Sequence, residues 1–198
     1  MIIHRSKIIK EGNPMIIFLL AILLLYGLLH LYIYHKIHVA IALGTASIVI
    51  IICFMAIMVL APVFVRLSER YGFEPLARHL SYIGYTWMGL AFLFFLCSLL
   101  VDVYRLAIST GGMILKTNYL SLLPSAQAAL VIAFSIAAGI VVYGFFEALS
   151  IRTERVVIRS PKIPEQIGKI TIAQISDVHL GLIVGTGRLK RILREADG

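Results

Sequence analysis

The sequence predicts a membrane α-helical protein with four transmembrane helices, followed past residue 150 by the start of an α/β unit. Three observations carry that expectation. Hydrophobic residues make up 60% of the chain and charged residues only 14%, with a mean hydropathy of +0.96, far more apolar than an ordinary soluble domain. Four apolar runs are each long enough to cross a hydrocarbon core, which takes about 20 helical residues. Beyond the fourth run the composition shifts to short β-branched stretches separated by Pro and Gly.

Residues 1–150 form the expected transmembrane domain. A short lead carries Arg5, Lys7 and Lys10, and Asn13-Pro14 then opens the first span. Asn suits a helix cap and Pro the first turn, where its missing N–H is not needed. Residues 15–34 follow as an apolar run of about 30 Å. Its length, with no small-x-small site after it, reads as an uncleaved signal anchor. Tyr32 and Tyr34 suit the lipid–water boundary. His30, His35 and His38 lie close in sequence, but with no acidic or thiol group beside them they read as solvated boundary residues, not a metal site.

The second span covers residues 39–62, with Pro62 expected to end or kink it. Gly72 and Pro75 mark turns in a polar loop over residues 66–79. Residues 80–101 make the third span, closed by Asp102 and Arg105, whose i, i+3 spacing allows a mutual ion pair. Gly111-Gly112 is expected to break the chain, leaving residues 106–124 as a frayed end and an interfacial segment. The fourth span, residues 126–149, repeats Ala129, Ala133 and Ala137 at four-residue intervals, a seam that lets another helix approach closely. Glu147 in its last turn is placed to meet Arg152.

Basic residues fix the expected orientation. With four crossings, one side holds Arg5, Lys7, Lys10, Arg66, Arg70, Arg78, Arg152, Arg155, Arg159 and Lys162, and the other only Lys36, Arg105 and Lys116. Both termini are therefore expected in the cytoplasm, with the protein in the plasma (inner) membrane. The same clustering beside apolar runs accounts for the net charge of +8 without invoking nucleic acid. Cys53 and Cys97 lie inside apolar stretches and suggest neither a disulfide nor a redox pair. No Asp, Glu, Lys or Arg lies deep within any of the four runs, which argues against a transporter or channel.

Residues 151–198 read as a β-β-α fragment. Residues 154–159 suit a first strand, 161–168 a turn-rich link and 169–175 a second, buried strand. Arg188 to Ala196 places Leu189, Ile192 and Leu193 at helical spacing, with Thr186 as a possible cap. Between strand and helix lies Ser176-Asp177-Val178-His179-Leu180-Gly181. If the extended backbone persists through Val178, Asp177 and His179 point to one side and can reach one cation. A carboxylate beside an imidazole suits manganese, iron or zinc.

This segment resembles the first metal-binding motif of the calcineurin-like metallophosphoesterases, in which Asp-x-His leaves the opening strand of an α/β sandwich, flanked by Ser, Leu and Gly. Ser176, Asp177, His179, Leu180 and Gly181 all match. The resemblance covers residues 151–198, together with a plan, seen in some bacterial members, of several membrane helices ahead of the catalytic domain. It implies that Asp177 and His179 are metal ligands, that two divalent ions serve as cofactors, and that a phosphate ester, possibly lipid-linked, is hydrolysed. The family's later Gly-Asp, Gly-Asn-His and Gly-His-x-His motifs do not follow His179. The expectation is therefore the N-terminal part of a membrane-anchored phosphoesterase, inactive as this chain stands. The alternative is a non-catalytic four-helix membrane scaffold or interaction protein.

Overall fold

A computed structural model describes residues 14–116, 120–159, 164, 170–178 and 181–196. Five α-helices run in order: α1 (Pro14–Ala40), α2 (Thr45–Arg70), α3 (Glu74–Leu115), α4 (Ala126–Leu149) and α5 (Thr186–Ala196). The first four are long and apolar enough to cross a membrane. Leucines, isoleucines and phenylalanines cover their outer faces, among them Leu25, Ile50, Leu100 and Phe146, as a lipid-facing surface requires.

Pro14 occupies the first position of α1 as expected, while the proposed cap Asn13 lies outside the described residues. Pro62 does not end α2. The helix continues to Arg70, because Pro62 removes a single N–H while apolar and polar helix formers continue on both sides. It stops at a left-handed turn: Gly72 has φ 77°, its N–H meets the Glu69 carbonyl at 3.0 Å, and Phe73 N–H meets Ser68 O at 2.9 Å. That closing pattern satisfies the last carbonyls and needs a residue without a Cβ at Gly72. Pro75 then sits in the first turn of α3, so the expected polar loop reduces to residues 71–73.

α3 has 42 residues, about 63 Å at 1.5 Å per residue, twice the thickness of a hydrocarbon core. The expected break at Gly111-Gly112 does not occur. Glycine costs only about 1 kcal/mol against alanine in a helix interior, and Met113, Ile114 and Leu115 continue the helix beyond it. It ends at Lys116 (φ 48°), whose N–H returns to the Gly112 carbonyl. A short 3-10 turn, Leu120–Leu122, folds back so that Tyr104 Oη donates to Leu122 O at 3.1 Å.

α1 and α3 run parallel, and α2 and α4 run antiparallel to them. The core takes residues from all four: Ile33, Met55, Ala91, Phe94, Ala133 and Ala137. The alanine seam of α4 is filled within the chain, by α3 beside Ala91 and Phe94. A second close approach lies between α2 and α3, where a Cβ added to Gly84 would sit 2.9 Å from Ala61 Cβ. We call the end of the bundle bearing Ala40 and Ala126 distal, and the end bearing Pro14 and Leu149 proximal.

Beyond α4 the α/β expectation is corrected. Among the described residues there is no sheet; residues 151–159 and 170–178 form neither strand nor bridge. A strand needs a neighbour for its backbone groups and a layer over its apolar face. Neither is supplied: Val157 and Ile172 are 84% and 85% exposed. The helix of the β-β-α reading does form, as α5, but Thr186 is its first residue and not its cap. The Gly185 carbonyl instead accepts from Arg188 N at 3.1 Å and Leu189 N at 3.4 Å.

Candidate functional site

Asp177 is exposed, and its backbone is left-handed, with φ 53°. Asp tolerates that region better than most residues. The left-handed backbone ends the extended alternation at Asp177. His179 and Leu180 lie outside the described residues. Gly181 does open a turn, its N–H bonding Val184 O at 3.0 Å, and Gly185 leads into α5. Tyr82 Oη on α3 donates to Ile183 O at 3.0 Å, which ties this loop to the proximal end of the bundle.

One carboxylate suits a hard or borderline cation, but among the described residues no group of three or more His, Cys, Asp or Glu converges. The described residues therefore do not by themselves make a two-metal site.

The bundle itself holds polar contacts that sequence reading assigned differently. His30 is not solvated: it is 3% exposed and bonded on both ring nitrogens. Trp87 Nε1 donates to His30 Nε2 at 2.9 Å, and His30 Nδ1 donates to Tyr26 O at 2.8 Å. An indole N–H can only donate and a carbonyl only accept, so the proton sits on Nδ1 and the ring is neutral. His35 and His38 remain exposed, as expected.

Asp102 is the second case. Its hydrogen-bonded partners are Lys36, which donates to Oδ1, and Tyr32 Oη, which donates to Oδ2 at 2.7 Å. The expected Asp102–Arg105 pair is thus replaced by an interhelical one. An exposed i, i+3 pair is worth only a few tenths of a kcal/mol, while the half-buried carboxylate gains two charge-assisted bonds from α1. A lone Lys and a lone Asp in otherwise apolar helices, near one end of the bundle, were the signal available for this contact. The Glu147–Arg152 pair forms as expected, at 2.7 Å.

Four membrane-length apolar helices around one core define a multi-pass helical membrane protein. No family model matches the chain, and neither a curated protein nor a solved structure matches it.

Proposed function

We propose that the protein is a membrane-anchored metal-dependent phosphoesterase of the calcineurin-like type, with Asp177 and His179 as ligands to one of two divalent ions. The observation that carries this reading is Ser176-Asp177-Val178-His179-Leu180-Gly181, directly after the membrane bundle and followed by a turn and a helix. Tyr82 supports it by tying the loop to the proximal end, where a catalytic unit faces the membrane surface. The chemistry such an ion pair supplies is activation of water and neutralisation of charge on phosphoryl oxygens. Asp177 offers an exposed carboxylate for that purpose. The basic bias around the spans supports a cytoplasmic position for the loop, at the plasma (inner) membrane in this reading, and anchoring favours a lipid-linked or headgroup phosphate ester as substrate.

The test is hydrolysis of bis-p-nitrophenyl phosphate by the protein isolated from its native membrane, with and without added manganese. The 198 residues alone, which carry only two ligands of the motif, are expected to give no turnover; in the protein as it occurs in its membrane, manganese-dependent turnover that is lost in Asp177→Ala and His179→Ala is the expected result. Turnover identical in all three proteins, or none with metal present, overturns it. A second reading, a non-catalytic scaffold, draws on the bundle's having its own core and its own polar ties, independent of residues 151–198. It is the reading left standing if both substitutions are silent.

A further inference from the structure

A cleft of about 140 Å³ opens between the distal ends of α1, α3 and α4. Lys36 and His35 line it from α1, Arg105 and Ser98 from α3, and Ala126 and Ala129 from α4. Of these, Lys36 and Arg105 are fixed cations on two different helices, and Asp102 neutralises one of them. The cleft therefore keeps a positive charge against apolar walls, where an electrostatic attraction is stronger than in bulk water. Ser98 is 5% exposed, and its hydroxyl has no hydrogen-bond partner among the described residues. A hydroxyl at the edge of a cavity, without a partner in the bundle, has its proton available to donate. Ala126 brings in the N-terminus of α4, whose dipole adds partial positive charge, although the Ser125 hydroxyl already caps the Ala128 N–H at 3.1 Å.

The position of the cleft suggests what it meets. Residues 80–101 of α3 are the apolar run, and Asp102 and Arg105 follow within about one turn. The cleft thus lies where hydrocarbon gives way to headgroups, the depth at which basic pockets between membrane helices meet lipid phosphates. We propose that this cleft binds a phosphate oxyanion, with Arg105 and Lys36 as its charge partners and the Ser98 hydroxyl as an additional donor. The role is separate from the Asp177 loop, which is tied to the opposite end of the bundle.

A phosphate group can come from a lipid headgroup or from solution, and the experiment separates the two. The full chain is placed in nanodiscs of equal parts phosphatidylcholine and phosphatidylglycerol, and lipid retained after extraction is counted by native mass spectrometry. Delipidated protein is separately titrated with inorganic phosphate and followed by phosphorus NMR. Arg105→Gln removes a cation that holds no described helix in place, and Ala129→Leu fills the cleft without changing charge. Arg191→Gln on α5 is the control, and the unfolding of each variant is followed by Trp87 fluorescence.

Retention of phosphatidylglycerol by the parent chain and Arg191→Gln, weakened about tenfold or more in Arg105→Gln and Ala129→Leu, identifies a lipid phosphate site. Binding of inorganic phosphate with the same variant pattern, and no retained phosphatidylglycerol, identifies a site for the free anion. The proposal fails if neither ligand binds, or if binding is undiminished in folded Arg105→Gln and Ala129→Leu.

Discussion

Trp87 on α3 hands its indole N–H to His30 Nε2 on α1 across 2.9 Å, and this bond settles the tautomer of a histidine that is almost wholly buried. The edge-on ring of Tyr26, 4.5 Å from the imidazole, and the Tyr26 carbonyl complete its surroundings. Trp87→Phe keeps an aromatic ring but leaves Nε2 with no donor. A buried acceptor so orphaned costs about 1–3 kcal/mol. The expected outcome is a lower unfolding midpoint in detergent, read by circular dichroism. A double cycle with His30→Phe should show coupling, since the second substitution removes the acceptor that the first one strands.

Lys36 and Asp102 should behave as a unit. Lys36→Met leaves a half-buried carboxylate with one neutral donor, Tyr32, and Asp102→Leu leaves an ammonium with none of its carboxylate bonds. Each single change is expected to lower stability by about 1–3 kcal/mol. The double variant should recover much of that loss, because replacing both partners by apolar groups removes the stranded charge. Thermal unfolding of the three variants measures it. A double variant no better than the worse single would show that the pair contributes nothing beyond side-chain volume.

At the α2–α3 contact, Gly84→Ala places a methyl 2.9 Å from Ala61 Cβ, closer than two such carbons approach. The clash is between backbone-fixed atoms, so the helices must separate. Overpacking of this kind costs about 1–3 kcal/mol. Ala61→Gly in the same chain should relieve most of it, and the difference in unfolding midpoint between Gly84→Ala and the double variant is the measurement.

Topology is open to a reporter. Alkaline phosphatase fused after Gly198 should be inactive and a cytoplasmic fluorescent protein at the same position bright, following the ten-to-three bias of basic residues around the spans. Fusion within the distal loop of residues 41–44 should reverse both signals.

From the residues alone, the four crossings, the Glu147–Arg152 pair, the α4 alanine seam and the helix after Gly185 could be read, because hydropathy, small-residue spacing and helical periodicity are local. Tertiary structure decided the rest. Which charge meets Asp102 depends on where α1 sits against α3, so Lys36 displaced the nearer Arg105. His30 is buried because Trp87 reaches it from a helix far away in sequence. Gly111-Gly112 stays helical because the local cost of glycine is small and the residues after it sustain the helix. The β-branched runs near Val157 and Ile172 were legible as strand sequence, yet a sheet is a property of two partners and a covering layer, and the described chain brings neither to them.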